Sequence, residues 1–240
     1  MNKKVLIIIP VYNEENNIEK VLNEIDRVIP NFEIIVVNDG SQDNTLKVLE
    51  KRGVSVLTHP INLGYGAAVQ TGLKYAVEKG YDIGILFDGD GQHDPNDVMS
   101  LLNALEKNSV DVVVGSRFIG RARYKTQLVK KIGMVMFSFL TYLITRHKIY
   151  DITSGFQALN RKALEFLSLE YPIDFPDAEV IIMLSLSGFK TIEVPVTIRQ
   201  RLSGHSMYSA LRSIYYPFRV LVGIIAIVLR SIFVNLKRRG

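Results

Sequence analysis

Short apolar runs alternate with helical patterns through the first half of the chain. Each run is bounded by polar or turn residues, which predicts a buried strand, and the intervening apolar residues recur at the spacing of a helix face. The predicted strands lie at residues 5–9, 34–37, 54–57, 83–87 and 110–114, and the predicted helices at 18–28, 46–49, 67–77 and 98–105. Repeated strand–helix units predict an α/β fold with a doubly wound, mostly parallel central sheet.

The pattern changes beyond residue 115. Residues 128–143 carry an apolar stripe at helical spacing, and residues 132–145 are apolar almost all round. Because about 20 residues are needed to cross a bilayer, this segment is predicted to be an interfacial or buried helix. The later part of the chain is predicted to form helices at 161–168 and 177–186, a strand at 191–197 and an apolar C-terminal helix.

The chain has 240 residues, of which 48% are hydrophobic, so it can supply one sizeable core. It contains no internal repeat, low-complexity tract or Pro/Gly/Ser-rich linker. We therefore expect a catalytic domain over residues 1–211, followed by an amphipathic, membrane-interface helix over residues 212–240.

Charge is strongly segregated along the chain. Segments 112–150 and 199–240 each contain eight Lys or Arg and no Asp or Glu, whereas the rest carries all 24 acids. Basic segments of this kind bind anionic surfaces or phosphates. Nucleic acid is one candidate, but both segments also contain long apolar runs, which favours a membrane surface and no nucleic acid.

Cysteine is absent, which excludes disulfides and thiolate metal ligands. The four histidines have no zinc-type spacing, so an oxygen-ligated metal is the kind that remains. The N-terminus lacks the pattern of a secretory signal peptide, and we therefore expect the catalytic domain to stay in the cytoplasm.

The segment Asp88-Gly89-Asp90-Gly91-Gln92-His93 directly follows the apolar run 83–87. It places two carboxylates and an amide oxygen at alternating positions where a buried strand ends. Ligands of open α/β sheets bind beyond the carboxyl ends of the strands, and Mg²⁺ or Mn²⁺ prefers carboxylates together with substrate phosphate oxygens. The segment therefore predicts a site for a divalent metal and a diphosphate; the alternative is a solvated turn.

Two further polar loops follow the first and second predicted strands, at residues 10–15 and 38–43. A carboxylate there could accept hydrogen bonds from a base or ribose, and Tyr12 offers a flat wall for a base. Taken singly, each loop is equally explained as a tight turn or helix cap, with Asn13 capping the first helix. Three such loops on neighbouring strand ends favour one shared nucleotide pocket. Neither a G-x-G-x-x-G nor a P-loop motif is present.

Together these motifs resemble the inverting glycosyltransferases of family 2, which have the GT-A fold. The closest branch is that of the polyprenyl-phosphate sugar synthases, similar to dolichol-phosphate mannose synthase and undecaprenyl-phosphate hexose transferases. The residues that carry the resemblance are Pro10-Val11-Tyr12-Asn13-Glu14, Asn38-Asp39-Gly40-Ser41, Asn62-Leu63-Gly64, Asp88-Gly89-Asp90-Gly91-Gln92, Ser116-Arg117-Phe118, Asp151-Ile152-Thr153-Ser154-Gly155-Phe156 and Arg201-Leu202-Ser203-Gly204-His205-Ser206.

The resemblance implies roles for individual residues on the donor side. Asp88 and Gly89 would lie along the ribose and diphosphate, and Asp90 with Gln92 would ligate Mg²⁺ or Mn²⁺. The donor would be a nucleotide sugar carrying a hexose or N-acetylhexosamine, with uridine favoured over guanosine as the base. The nucleoside would be held by Pro10, Tyr12, Glu14 and Asp39.

On the acceptor side, the resemblance implies a polyprenyl phosphate at the cytoplasmic membrane face. Arg117 and Arg201 are candidate phosphate-binding forks, because guanidinium matches phosphate bidentately, and Ser206 is a further candidate phosphate contact. A lipid phosphate is already an anion, so Asp151 is expected to orient the sugar rather than to remove a proton. Glu179 is a candidate base only for a hydroxyl acceptor; otherwise it belongs to the first turn of a helix, where acids are favoured.

The chain departs from the branch at residues 204–207. A Gly-x-Ser-Lys run is usual there in dolichol-phosphate mannose synthases, but Met207 stands in place of the lysine, so His205 or Arg201 would have to substitute for its contact. Multiple spanning helices follow the catalytic domain in many relatives, and we expect none in these 240 residues.

The tail carries a basic stripe independent of the resemblance. At about 100° per residue, its members fall on one side of a helix whose remaining residues are mostly apolar. The stripe consists of Arg212, Arg219, Arg230 and Lys237. This pattern predicts a helix in the headgroup plane, begun or kinked at Pro217, that binds a membrane surface and, as a further possible partner, a small membrane protein. The alternative is a helix docked on the enzyme's own core.

Two other functions stay open on the sequence alone. The acceptor could be a saccharide hydroxyl, as in the synthesis of cell-wall or surface polysaccharides. The chain could also be a non-catalytic membrane scaffold or nucleotide sensor, although the intact set of Asp88, Asp90 and Gln92 argues against that function.

Overall fold

The structure is a computed structural model that describes residues 3–119, 141–143, 148–173, 176–199, 222–223 and 225–226. Seven strands and six α-helices that lie wholly within these ranges form an α/β fold. The strands are β1 (Val5–Val11), β2 (Glu33–Asn38), β3 (Ser55–Thr58), β4 (Ile83–Leu86), β5 (Val112–Ser116), β6 (Gln157–Asn160) and β7 (Thr191–Pro195). The helices are α1 (Ile18–Val28), α2 (Thr45–Arg52), α3 (Tyr65–Glu78), α4 (Val98–Lys107), α5 (Arg161–Glu170) and α6 (Pro176–Leu186), with a 3₁₀ turn at Pro95–Asp97.

All seven strands belong to one sheet in the order β3-β2-β1-β4-β6-β5-β7. Neighbouring strands are parallel except at β6, which is antiparallel to both β4 and β5. Because β6 runs the opposite way, it begins at the edge where the parallel strands end. The segment before β6 therefore reaches the same edge as the loops that follow β1, β2, β4 and β5.

The sheet is covered on both faces, so the central strands β1 and β4 are apolar throughout. In β1, Leu6 and Ile8 belong to one core cluster, with α3, α5 and α6, whereas Ile7 and Ile9 belong to the other, with α1 and α4. All four side chains are at most 1% exposed, and each contributes roughly 1.5–3 kcal/mol by burial. Because side chains alternate along the strand, β1 packs against the helices on both faces of the sheet.

One glycine sets how closely α3 packs on the sheet. A Cβ built on Gly72 would collide with the Ile8 side chain, so a larger residue would force the helix away from β1. This packing matters for the site, because α3 begins at Tyr65, beside the carboxyl ends of the strands.

The predicted strands and helices of the first half are confirmed, with boundaries moved by up to three residues. Helices α5 and α6 are also confirmed. The analysis of the sequence missed β6, because its four residues lie between a loop and a helix start and pair only with strands distant in sequence.

The predicted helix at 128–143 lies mostly outside the described residues, although residues 141–143 are helical. Most of the tail, including its basic stripe, also lies outside them. Among the described tail residues, Gly223 lies against the carboxylate of Glu179 on α6, where any side chain would collide. Val222 and Ile225 are about half exposed. Within the described ranges, no helix has both the length and the apolar character needed to span a bilayer.

Candidate active site

Three polar loops meet at the carboxyl edge of the sheet, as the sequence predicts. β1 lies between β2 and β4, so the loops that follow these three strands are neighbours. The backbone N–H of Asp39 donates to the carbonyl of Val11 at 2.9 Å, which ties the second loop to the first. Asp88 follows β4 at the same edge. The fold therefore brings together the residues assigned to nucleotide and metal.

The Asp88 carboxylate is held from two sides. The Tyr65 hydroxyl donates to its Oδ1 at 3.0 Å, and His93 Nε2 lies 3.4 Å from its Oδ2. Gly155 lies behind this pair: a Cβ there would come within 2.8 Å of the Tyr65 Oη and 3.1 Å of Asp88 Oδ2. The carboxylate, with a side chain 29% exposed, is thus fixed in orientation before any ligand binds.

His93 is a buried part of this arrangement. Its Nδ1 accepts a hydrogen bond from the Asp88 backbone N–H at 3.0 Å, so in the neutral ring the proton is on Nε2 and points toward Asp88. The ring stacks on Phe156 at a centroid distance of 4.6 Å and meets the edge of Phe87. Burial, reinforced by Arg117, lowers the pKa of His93 to about 4, and the ring is therefore neutral at physiological pH.

Asp90 and Gln92 form a compact turn that directly follows Asp88 and Gly89 in the chain. Asp90 Oδ1 accepts from the backbone N–H of Gln92 at 3.0 Å, and Gly91 between them has a φ of 81°, which favours glycine. The Gln92 Nε2 donates to the carbonyl of Arg199 at 3.3 Å. Its Oε1 is therefore the amide atom available to a cation.

The donor atoms of this loop fit a hard divalent cation. They are carboxylate and amide oxygens, as Mg²⁺ and Mn²⁺ prefer, and substrate phosphate would supply further oxygens. Among the described residues, no group of three or more His, Cys, Asp or Glu side chains is placed to hold a metal. The loop thus suits a cation that binds together with the diphosphate of a donor, rather than one enclosed by protein ligands alone.

Gly89 lies flush against the end of β1, where a Cβ would come within 2.5 Å of the Val11 side chain. Only glycine therefore lets the chain turn between the two aspartates without displacing Val11. The chain therefore presents backbone rather than a side chain at the position predicted to lie along the ribose and diphosphate.

The Asp39 carboxylate is buried in a network of its own. Its Oδ1 lies 2.7 Å from His59 Nδ1 and accepts from the backbone N–H of Leu63, and its Oδ2 accepts from that of Gly64. His59 Nε2 in turn lies 2.9 Å from the Thr71 hydroxyl. Asp39 thus fastens the Asn62-Leu63-Gly64 motif to the end of β2.

The loop after β1 is fastened to the loop after β2. The backbone N–H of Asn13 donates to the Ser41 hydroxyl at 3.0 Å, and the Asn13 Oδ1 accepts from the backbone N–H of Gln42 at 2.8 Å. Asn13 therefore does not cap the first helix; the N-cap position is Asn17, without a side-chain capping bond. Asn13 has a φ of 55°, a conformation that asparagine tolerates better than most residues.

The predicted nucleoside contacts differ in their placement. Pro10 lies within β1, paired with Val37 of β2, so the strand runs beyond its predicted end. Tyr12, directly after β1, is partly exposed. The Glu14 carboxylate is 8% exposed and accepts from the Asn17 side chain at 2.5 Å. The Glu14 carboxylate is thus hydrogen-bonded to Asn17, three residues further along the chain.

Arg117 and Asp151 were predicted to contact the acceptor phosphate and the sugar, respectively, but they bind each other. Arg117 Nε and Nη2 donate to the two Asp151 oxygens at 2.8 and 2.6 Å, and Nη2 also donates to the Thr153 hydroxyl at 2.5 Å. Asp151 is 1% exposed. The Asp151 carboxylate is therefore buried and orients Arg117, and its expected role in orienting the sugar stays a prediction.

Glu193, in β7, binds the backbone next to this ion pair. Its carboxylate accepts the backbone N–H groups of Tyr150 and Asp151 at 2.8 and 2.7 Å. Burial, with the nearby Asp151 charge, raises the pKa of Glu193 despite these bonds. The segment that enters β6 is thus fixed between β5 and β7.

Arg201 and Ser206, predicted to bind the acceptor phosphate, lie outside the described residues, as does His205. The analysis of the sequence missed four residues that shape the described site: Tyr65, His59, His93 and Arg199. Two of them had visible signals, because Tyr65 directly follows the Asn62-Leu63-Gly64 motif and His93 directly follows Gln92. His59 and Arg199 are single residues far in sequence from their partners.

Comparison with known proteins places these features in a family. Residues 6–167 match the model of glycosyl transferase family 2. The chain is 37% identical over 186 residues to the UDP-N-acetylglucosamine–dolichyl-phosphate N-acetylglucosaminyltransferase of Methanococcus voltae, covering 70% of this chain and 73% of that one. It is 30% identical over 226 residues to the polyprenol monophosphomannose synthase of Mycolicibacterium smegmatis, covering 86% and 82%.

Solved structures share the fold. A crystal structure of glucosyl-3-phosphoglycerate synthase from Mycobacterium tuberculosis, in complex with Mn²⁺ and uridine-diphosphate-glucose, superposes with a TM-score of 0.69. The two chains are 19% identical, and the match covers 94% of this chain and 80% of the other. The GT-A fold implied by the sequence motifs is thereby confirmed.

Proposed function

Because the chain belongs to glycosyl transferase family 2, we propose that it transfers a hexose or N-acetylhexosamine from a nucleotide sugar to a polyprenyl phosphate. Two relatives that match most of the chain are named for transfer to dolichyl phosphate and for synthesis of polyprenol monophosphomannose. Both acceptors are phosphorylated isoprenoid lipids. We place the reaction at the cytoplasmic face of the membrane, with the protein bound peripherally.

The observation that carries the proposal is the fixed Asp88 carboxylate beside the Asp90–Gln92 turn. Tyr65 and His93 hold this carboxylate at the end of β4, beside the loop after β1 that would receive part of the nucleoside. A preorganised carboxylate at a strand end can accept ribose hydroxyls without reorganising when the donor binds. We assign the nucleoside to the pocket formed by Tyr12 and the loops at Pro10 and Asp39.

We favour a uridine nucleotide as the donor. The N-acetylglucosaminyltransferase relative is named for UDP-N-acetylglucosamine, and the glucosyl-3-phosphoglycerate synthase was crystallised with uridine-diphosphate-glucose and Mn²⁺. In this chain Asp90 and the Oε1 of Gln92 would hold the cation. When bound, Mg²⁺ or Mn²⁺ would neutralise charge that develops on the departing diphosphate.

The reaction is an inverting displacement. An oxygen of the lipid phosphate attacks the anomeric carbon from the side opposite the diphosphate, a new carbon–oxygen bond forms, and the bond to the nucleoside diphosphate breaks. Because the attacking phosphate is already an anion, no side chain has to remove a proton. The acceptor needs only to be positioned, and Arg117 is suited to that role since Asp151 and Thr153 fix its orientation. Arg201 and Ser206 are proposed as further phosphate contacts.

The acceptor can be tested with a matched pair of lipids. The full-length protein is incubated with UDP-N-acetylglucosamine, UDP-glucose or GDP-mannose, and with undecaprenyl phosphate, undecaprenol or, in a separate reaction, a saccharide acceptor. Release of nucleoside diphosphate is measured. We expect release only with the phosphorylated lipid, because a free hydroxyl requires a base. Release that depends instead on a saccharide acceptor would show that the enzyme builds polysaccharide, and release with none of these would contradict the proposed acceptor class.

A further inference from the structure

The chain that follows β7 crosses directly over the Asp90–Gln92 turn. The backbone N–H of Arg199 donates to the Gln92 carbonyl at 2.9 Å, and the Gln92 Nε2 donates to the Arg199 carbonyl at 3.3 Å. The adjacent residues His93 and Ile198 form an isolated antiparallel bridge. One residue, Arg199, therefore meets both the backbone and the side chain of Gln92.

The Arg199 side chain fastens this crossing to two other elements. Its Nη1 donates to both carboxylate oxygens of Glu24 on α1 at 2.6 and 2.8 Å, and its Nη2 lies 2.7 Å from Asp94 Oδ2. The three side chains are between 16% and 35% exposed, so water only partly screens these contacts. Hydrogen bonds to Glu24 and Asp94 raise the pKa of Arg199 despite partial burial, and its guanidinium group stays charged.

A second contact holds the same segment two residues earlier. The backbone N–H of Thr197 donates to Asp97 Oδ2 at 2.7 Å. Asp94 precedes the 3₁₀ turn that follows the metal loop and caps it by accepting the backbone N–H of Asn96, and Asp97 is the last residue of that turn. The segment after β7 is thus held at two residues. Thr197 is bound by a carboxylate of the turn, and Arg199 is bound by a carboxylate of α1 and by Asp94.

This geometry decides which way the Gln92 amide points. A carbonyl oxygen can only accept a hydrogen bond, so the amide group turned toward Arg199 must be the NH₂ group. The Oε1 then faces away from Arg199. If Arg199 shifts, the amide can rotate and present its NH₂ group, which cannot ligate a cation. Groups that orient a metal ligand in this way commonly matter almost as much as the ligand itself.

We propose that Arg199 is a positioning residue that holds the Gln92 amide oxygen toward the donor's metal ion. The inference rests on the proposed function, because it assigns Gln92 to that cation. In this role Arg199 acts through Gln92 and is not itself a ligand of the cation. Its guanidinium acts through the Glu24 and Asp94 carboxylates, which keep its backbone carbonyl on the Gln92 amide.

The test is a double-mutant cycle on Mn²⁺ binding in the full-length protein. Free Mn²⁺ is measured by electron paramagnetic resonance in the presence of UDP, without turnover, for the parent, Arg199→Met, Gln92→Ala and the double variant. We expect Arg199→Met to weaken Mn²⁺ binding about tenfold in the parent. In the Gln92→Ala background the same change should have less than about a twofold effect, because the group through which it acts is gone.

Arg161 provides a matched control. Its side chain is 38% exposed and bonds Glu165 at 2.6 Å, much as Arg199 bonds Glu24, but it lies at the start of α5, at the opposite edge of the sheet. Arg161→Met should leave Mn²⁺ binding unchanged. If Arg199→Met fails to fold by circular dichroism, Glu24→Gln loosens the same fork with little change in shape and should weaken binding in the same direction.

The outcomes separate this inference from the proposed function. Parent protein that binds Mn²⁺ with UDP, together with an Arg199→Met variant that binds it equally well, would overturn the role of Arg199 and leave the metal site intact. An equal loss in the parent and Gln92→Ala backgrounds would show that Arg199 does not act through Gln92, and would also overturn it. Parent protein that binds no Mn²⁺ would overturn the metal site and the inference together.

Discussion

Tyr65 donates its hydroxyl to Oδ1 of Asp88 at 3.0 Å, across the gap between the first turn of α3 and the end of β4. Gly155 lies against both groups and leaves no room for a side chain. The contact joins three segments that are distant in sequence. It keeps one carboxylate oxygen in place and thus sets the direction in which the other lone pairs of Asp88 point.

Replacing Tyr65 with phenylalanine should therefore reduce activity without unfolding the protein. A hydrogen bond to a charged group contributes about 1.5–3 kcal/mol, so kcat/KM should fall by about tenfold or more. The measurement is steady-state transfer from the nucleotide sugar, with thermal unfolding as the check on folding. Tyr75→Phe, in the same helix, is the control and should retain parental kinetics. Equal kcat/KM for both variants would show that the Tyr65 hydroxyl has no part in donor binding.

The buried His93 should make stability depend on pH. Its pKa is about 4 in the folded protein against 6.5 when unfolded, so only the unfolded chain takes up this proton between those values. The contribution of His93 is therefore fully present above pH 6.5 and is lost as pH falls toward 4. From pH 7 to pH 5 the free energy of unfolding should drop by about 2 kcal/mol on account of this residue.

The measurement is urea unfolding of metal-free protein at pH 7 and pH 5, for the parent and for His93→Gln. Other carboxylates contribute to the pH dependence of both proteins, so the difference between the two proteins isolates the imidazole. The variant should be less stable at pH 7 but should lose less stability on acidification. Parallel losses in the two proteins would mean that His93 titrates normally in the folded state.

Asp90 should be required for turnover but not for folding. Asp90→Ala removes the carboxylate assigned to the cation, and turnover should fall by about 10²-fold or more because the departing diphosphate loses its electrostatic partner. Chelation of divalent cations should abolish the activity of the parent. Asp82→Ala, at the opposite edge of the sheet where Asp82 accepts the Lys4 backbone N–H, is the control. Full activity of the parent in excess chelator would contradict the assigned role of Asp90.

Much of the fold could be predicted because the relevant signals are local. Strands β1, β2, β4 and β5 each contain a continuous apolar run, and residues such as Ile18, Leu22 and Ile25 repeat at helical spacing. β6 could not be found in this way, because its four residues merge into the N-cap of α5 at Asn160. Its strand character depends on pairing with β4 and β5, which lie 40 or more residues away.

The candidate site shows the same division. Asp88, Asp90 and Gln92 stand together in sequence at a strand end, so their shared location follows from the sheet alone. The pairing of Arg117 with Asp151 depends on the reversal at β6, which brings the segment before that strand to the end of β5. The residue types identified both side chains as candidates, but the sequence could not show that they form an ion pair with each other.

The tail from about residue 217 should bind anionic membranes. Basic residues near an anionic surface contribute about 1 kcal/mol each, in addition to burial of the apolar face, so binding should weaken with salt. The measurement is co-sedimentation with anionic or neutral liposomes, for the full chain and for a chain truncated before Ser213. Equal binding by both would place the membrane contact elsewhere, and protection of the C-terminus from protease by the opposite leaflet would show that the tail spans the bilayer.

The central claim is that sugar becomes attached to a lipid phosphate. The most direct measurement is mass spectrometry of the lipid extract after incubation of the full-length protein with a panel of nucleotide sugars, divalent metal and undecaprenyl phosphate, with Asp90→Ala as the control. A species heavier than undecaprenyl phosphate by one hexosyl or N-acetylhexosaminyl residue, formed by the parent and not by the variant, is the predicted result. Two results would contradict the claim. One is an unchanged lipid from a protein that glycosylates a saccharide in a parallel reaction, and the other is an unchanged lipid with no release of nucleoside diphosphate.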